Sequence, residues 1–300
     1  MVHAIDHREL ITVTAGGERL RGTYHKPTGG AARVGILWIN SGWAPRAAFG
    51  DAAVGWADSF ARQGYPCFRL DLPGLGDSEG RLPEKWVDLC DLINNGHFIP
   101  HLSGAATNLA ARYRLSGMVV MGHCGGAVSA IYAAAANPHI QGVVALDPYF
   151  FRNVVERPAF RQELSIWVTR SKMAGRLSKI YKRVKRFNVL IANKRIPDNA
   201  NLTLLSSWQR VANSGKPTLL LSPKRSLTRG EFDYWAYLQQ FPGAKSPVEV
   251  KHIEGAHHSF GDAVGRPAVC DYTSQWLDTN FGEYRNEAPA MAQQFAGDHE

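Results

Sequence analysis

Cys124 lies at the centre of Gly122-His123-Cys124-Gly125-Gly126, after the apolar, β-prone run Met118–Met121 and before the alanine-rich stretch Ala127–Ala136. A strand turning this sharply into a helix holds its central side chain in an exposed, strained elbow, and small neighbours let the backbone pass close by. A thiol held there is a nucleophile, and its chemistry is covalent: an acyl group moves from an ester or thioester onto sulfur and then onward. For the pentapeptide alone, a buried cysteine beside a glycine-rich turn is the structural alternative.

Such a thiol needs a base. Glu254-Gly255-Ala256-His257-His258-Ser259-Phe260 follows the last strand, Val248–Ile253, and a histidine in that loop can reach back to the nucleophile. His258 is favoured because it precedes Ser259-Phe260, with His257 in reserve. The charge that develops on the attacked carbonyl needs amide donors. Gly125 supplies one, and the turn ending Trp38-Ile39-Asn40-Ser41-Gly42-Trp43 supplies the other, from Trp43 or Gly42, while Asn40 and Ser41 brace it.

The acid that would orient the base is ambiguous. After Leu219–Leu221 an aspartate is expected within several residues, but Ser226 stands there and cannot orient an imidazolium by charge. Asp147, in Ala145-Leu146-Asp147-Pro148, ranks first, followed by Asp233 and then Glu231; Asp147 is equally well placed as a turn-former before Pro148. A cysteine–histidine pair also depends on the acid less than a hydroxyl does. His123 is expected to point toward the core or the pocket edge, and Asp71 and Asp77 to build their loop by Asx-type hydrogen bonds.

The elements that must position these groups can be read in order. Glu9–Val13 and Arg19–His25, around Ala15-Gly16-Gly17-Glu18, form an antiparallel hairpin. Val34–Ile39 and Cys67–Leu70 are short apolar strands, with a helix over Ala52–Arg62 between them closed by Gly64. Asp71–Gly80 is a long turn, a helix lies around His101–Tyr113, and strands follow at Val143–Leu146, Pro217–Leu221 and Val248–Ile253 before a final helix from about Ala268 to Leu277. The alternation predicts an α/β fold, a mostly parallel sheet covered by helices on both faces. Residues 1–149 and 212–282 form that core. Residues 150–211 break the rhythm as a basic helical lid inserted over the carboxyl edge of the sheet, and 283–300 are a flexible tail.

Composition, at 45% hydrophobic and 20% charged, is that of an ordinary globular protein. No apolar run approaches a membrane span and the N-terminus has no signal-peptide layout, so a cytoplasmic protein is expected. The four cysteines are scattered, without CxxC or zinc spacing, so no metal or cofactor is implied and reduced thiols are expected. Cys67, Cys90 and Cys270 read as core. The net charge of +8 concentrates between Arg152 and Arg195, where Lys179, Lys182, Arg183, Lys185 and Arg186 lie close together and few acids oppose them. By count alone such a patch reads as a solvated helix face; as a binding surface it would attract anions, including coenzyme A or an acyl carrier protein. No nucleic-acid module accompanies it, so no nucleic-acid partner is expected.

Together these residues resemble the α/β-hydrolase superfamily. Asp71-Leu72-Pro73-Gly74-Leu75-Gly76-Asp77-Ser78-Glu79-Gly80 is similar to its D-x-x-G-x-G-x-S loop and Gly122–Gly126 to its nucleophile elbow, over about Glu9–Leu277. Within the superfamily the chain looks most like hydrolases associated with exosortase systems, through Ser41-Gly42, Arg69-Leu70-Asp71 and Leu227-Thr228-Arg229-Gly230-Glu231-Phe232. The family's aspartate before Leu-Thr is Ser226 here, its Asp-His is His257-His258, and its Asn-Pro is Asp147-Pro148. Loss at one position with gain at another implies that the acid has moved to Asp147. Cysteine nucleophiles on this fold also resemble dienelactone hydrolase and polyhydroxyalkanoate synthase, one hydrolytic and one acyl-transferring. The implied function is acyl processing on Cys124, resolved by water or by another nucleophile; the alternative is a catalytically silent binding protein, motivated by Ser226.

Overall fold

The computed structural model describes residues 7–28, 32–40, 42–152, 199–223 and 248–282. The strands are β1 (Arg8–Ala15), β2 (Glu18–His25), β3 (Val34–Ile39), β4 (Cys67–Leu70), β5 (Gly117–His123), β6 (Ile140–Leu146), β7 (Thr218–Pro223) and β8 (Val248–Ile253). They form one eight-stranded sheet in the order β1-β2-β4-β3-β5-β6-β7-β8. The β1–β2 hairpin and the β2–β4 pair are antiparallel, and β4 through β8 run parallel. The chain therefore has the mostly parallel α/β sheet read from its strand–helix alternation, in keeping with the fold that the resemblance to α/β-hydrolases implies.

Burial explains why the central strands carry no polar alternation. Every residue of β3, β4, β5 and β7 is buried, because helices cover both faces. Helix α1 (Ala52–Arg62) and helix α6 (Gly265–Phe281) pack on one face, where Trp38, Trp56, Phe60, Trp276 and Phe281 form the core. On the other lie α3 (Ile99–Arg112), α4 (Gly125–Ala136) and α5 (Leu202–Asn213), around Leu37, Phe68, Val120, Ile131 and Trp208. Helix α4 has buried residues all round, which suits its alanine-rich sequence: small side chains let it lie against β3, β5, α3 and α5 together.

One helix escaped the sequence reading. Helix α2 spans Trp86–Asn94, and its signal is Trp86, Leu89, Cys90 and Ile93 at helical spacing just after Pro83. It packs against α4 beside the elbow.

Residues 153–198, most of the predicted lid, lie outside the described residues, as do Ser41 and the 283–300 tail. The ends of the lid segment are described. Phe151 pairs with Ala200, the Arg152 amide donates to Asn199 O and the Asn201 amide to Phe150 O, so the chain leaves and re-enters the core at one place. From there Leu202–Asn213 forms α5 directly on α4, with Trp208 edge-on to Phe150 at 6.0 Å between ring centroids.

Candidate active site

The elbow forms as the glycines require. Cys124 sits between β5 and α4 with φ 51° and ψ −114°, a conformation an L-residue adopts only under constraint. Its amide donates to Leu146 O at 2.8 Å and its carbonyl accepts from the Val128 amide at 3.1 Å, so both sides of the strained residue are pinned. A Cβ on Gly126 would stand 2.3 Å from Asn40 O, and one on Gly122 would stand 2.4 Å from Gly126 O. Both flanking positions must therefore be bare backbone. Cys124 itself is half-buried, whereas Cys67 and Cys90 are buried.

His258 reaches back from the loop after β8. Its Nδ1–H donates to Asp147 Oδ2 at 2.6 Å, which leaves Nε2 for the hydrogen bond between its ring and the Cys124 side chain. Burial works against a charged imidazole here. The hydrogen bonds to Asp147 and Cys124 and the electrostatic attraction of both groups outweigh it, and they lift His258 from the usual 6.5 to about 10. The ring therefore holds its proton at neutral pH.

Asp147 is placed for this by its own backbone. It follows β6, donates its amide to Leu221 O at 2.7 Å and adopts φ 46°, a left-handed conformation that aspartate tolerates better than most residues. Its carboxylate is 2% exposed and also accepts from Ser222 Oγ at 3.3 Å. The two further candidate acids, Asp233 and Glu231, and Ser226 with them, lie outside the described residues.

His123 and His257 do other work. The His123 ring, buried, donates from Nε2 to the carbonyl of His258 at 2.7 Å and lies 4.6 Å from the His258 ring. Burial first, and then the neighbouring His258 charge, depress it to about 3, so it is a neutral brace for the loop. The His257 amide donates to Asp262 Oδ2 at 2.9 Å, and the other oxygen of Asp262 accepts from the amides of Val264 and Gly265 at the start of α6. The two ends of the histidine loop are thus fixed by a buried imidazole and a helix cap.

The turn after β3 closes the opposite side. The Gly42 amide nitrogen lies 3.8 Å from the point a Gly125 Cβ would occupy, which brings the two sources of amide donors together. Asn40 braces the turn as expected: it donates to Asp71 Oδ1 at 3.1 Å and accepts from the Leu72 amide at 3.2 Å. Asp71 does more than shape its own loop. It is fully buried, accepts the Arg46 amide at 2.7 Å and ion-pairs with the Arg46 guanidinium, tying the β3 turn to the β4 loop. Asp77 is exposed and lies 3.5 Å from the same Arg46 Nη1 that pairs with Asp71.

Tyr149 was missed by the sequence reading. It lies buried two residues after Asp147, and burial together with the nearby Cys124 and Cys90 sulfurs pushes its hydroxyl pKa upward.

Among the described residues, His7, His25 and Asp58 offer ligand atoms within 4.8 Å of one another. His25 pairs with Cys67, the first residue of β4, so this cluster sits at the far end of the strands from Cys124. Its lone pairs are already committed. His25 Nε2 accepts from Arg69 at 2.8 Å, its Nδ1–H donates to Asp58 at 2.6 Å, and Arg8 forks onto both Asp58 oxygens. A cation on Nδ1 would have to evict Arg8 and turn the ring into an imidazolate, so the group fits an ion-pair node and not a metal.

The family described as the alpha/beta hydrolase fold matches residues 47–195. No curated protein sequence matches the chain. Among solved structures, an esterase of Pyrococcus furiosus, Pf2001, is 18% identical with a TM-score of 0.61, and the match covers 92% of each chain. A complex of DcsB with its substrate analogue is 15% identical with a TM-score of 0.61, covering 91% of this chain and 99% of that one. A dienelactone hydrolase from Anabaena variabilis is 17% identical with a TM-score of 0.57, covering 91% and 97%. At these identities the likeness is one of fold. No helix among the described residues is long and apolar enough to cross a membrane.

Proposed function

We propose that the protein is an acyl-processing enzyme in which Cys124 is the nucleophile, His258 the acid–base and Asp147 the group that orients His258. The carrying observation is the hydrogen-bonded run from Asp147 to His258 to Cys124 at the elbow. The esterase and dienelactone hydrolase among the structural neighbours agree with hydrolase chemistry in general. Set against the exosortase-associated hydrolases that the chain resembles, it has Ser226 where they carry an aspartate and Asp147-Pro148 where they carry Asn-Pro, and this loss and gain support an acid moved to Asp147. With a carboxylate already on the imidazole, the main motive for a catalytically silent binding protein weakens.

The Cys124 sulfur, its proton held by His258, attacks the carbonyl carbon of an ester or thioester. A C–S bond forms and the carbonyl electrons move to oxygen, where the amides of Gly125 and of Trp43 or Gly42 donate to the oxyanion. Collapse breaks the bond to the leaving group, which takes the proton from the His258 imidazolium. Neutral His258 then deprotonates water, or an acceptor alcohol, thiol or amine, for attack on the S-acyl carbon. Acid or transferred product leaves, and the sulfur–imidazolium pair is restored. The basic residues between Arg152 and Arg195 favour donors carried on coenzyme A or on an acidic carrier protein, by attraction and steering.

Incubation with acyl thioesters followed by peptide mass spectrometry tests the reading. An acyl adduct is expected on Cys124 and on no other cysteine, blocked by prior alkylation and lost in Cys124→Ala. Labelling of Cys90 or Cys270 in place of Cys124, or no adduct and no turnover across the panel, would overturn it.

A further inference from the structure

Large apolar side chains on the surface are uncommon enough to ask what covers them, and here two tryptophans lie together at the turn after β3 that faces the elbow. Trp43 and Trp86 are each 45% exposed and meet edge to face, with ring centroids 5.3 Å apart. Singly exposed apolar residues need no explanation, but a packed, half-bare indole pair holds much apolar area in water. The pair is built into the site. Gly42 has φ +52°, and a Cβ on it would lie 2.7 Å from the Trp86 ring, so that ring rests on the backbone of the oxyanion turn. Seven residues further along α2, Ile93 Cδ1 stands 2.9 Å from where a Gly125 Cβ would be. Helix α2 thus carries Trp86 at the rim and Ile93 at the elbow on one stripe, about 10 Å apart by helical rise.

We infer that the exposed indole faces of Trp43 and Trp86 form the recognition surface for the acyl donor, and that they select a planar, unsaturated or aromatic acyl group over a saturated or charged one. The inference rests on Cys124 being the acylated residue. A flat π system can stack on a bare indole face next to the carbonyl held at Gly125 and the β3 turn. A flexible chain gains less there, because it must be ordered against one open surface. A charged acyl group would lose hydration beside two indoles without a partner of opposite sign in the pair.

The test compares N-acetylcysteamine thioesters of acetate, hexanoate and cinnamate, following adduct formation on Cys124 and kcat/KM in the wild type, Trp86→Ala and Trp86→Phe. The wild type should prefer cinnamoyl over hexanoyl. Trp86→Ala should lower the cinnamoyl-to-acetyl ratio about tenfold, mainly through KM, and Trp86→Phe, which keeps an aromatic face and the helix, should restore most of it. If Cys124 is acylated but the ratios do not move in Trp86→Ala, the recognition surface is elsewhere. Equal losses for hexanoyl and cinnamoyl would overturn the preference for planar groups. If no donor acylates Cys124 in the wild type, the underlying reading of the site fails, and that result is distinct from the other two.

Discussion

Asp147 and His258 present the sharpest question at the scale of single residues, because one hydrogen bond decides whether a carboxylate is a turn-former or a part of the chemistry. Asp147→Asn is well suited to ask it: asparagine tolerates the left-handed backbone as readily, and only the charge and the acceptor are lost. The imidazole would then lose one of the groups that lift it to about 10, and its proton would leave at lower pH. Acylation of Cys124 is expected to slow by about 10²-fold at neutral pH, and the alkaline limb of its pH profile should move down from the region of pH 10. An unchanged rate and limb would return Asp147 to the role of turn-former. The same residue shows where sequence reading is strong and where it stops. Cys124 and His258 stood out because a glycine-flanked elbow and a loop after the last strand are local patterns. The ranking of Asp147 over Asp233 and Glu231 could not be resolved locally, since it depends on how far the loop after β8 reaches back across the end of β7 to the end of β6.

At the scale of elements, the core strands and α1 were legible because fully buried runs and a capped apolar period leave little choice. Helix α2 was overlooked between two glycine-rich loops, although its stripe of Trp86, Leu89, Cys90 and Ile93 was there to be read. What no local pattern could supply is the closeness of approach between elements. Helix α4 begins so near β3 that a Cβ on Gly126 would fall 2.3 Å from Asn40 O and 2.6 Å from Ile39 O. Backbone cannot yield as a side-chain tip can, so Gly126→Ala must push the helix off the sheet. A loss of about 3 kcal/mol is expected from overpacking, measured by denaturant unfolding, together with a loss of Cys124 acylation larger than the fraction unfolded explains. A variant as stable as the wild type would mean that α4 can slide without disturbing the elbow.

For the molecule as a whole, two histidines at opposite ends of the parallel strands share one electrical property. His25, beside Asp58 and Arg69, is held near 4, first by burial and then by the Arg69 charge. His123, under the histidine loop, is held near 3. Both are buried and neutral in the folded chain, whereas in the unfolded chain each takes a proton near 6.5. Below that value the unfolded state binds more protons, so stability falls as pH falls, by up to about 1.4 kcal/mol per pH unit for each ring. The loss levels off only near the folded values of about 4 and about 3. His258 adds no slope there: its folded value is raised, and its contribution is fully present below the unfolded one and lost only as pH rises toward about 10. The melting temperature should therefore drop steadily from pH 6.5 to 4.5, above the range where most exposed carboxylates titrate. His123→Asn, which keeps a neutral donor toward the His258 carbonyl, should show a shallower drop than the wild type. A melting temperature flat across that interval, or a variant with the wild-type slope, would mean that these rings reach solvent protons before the fold opens.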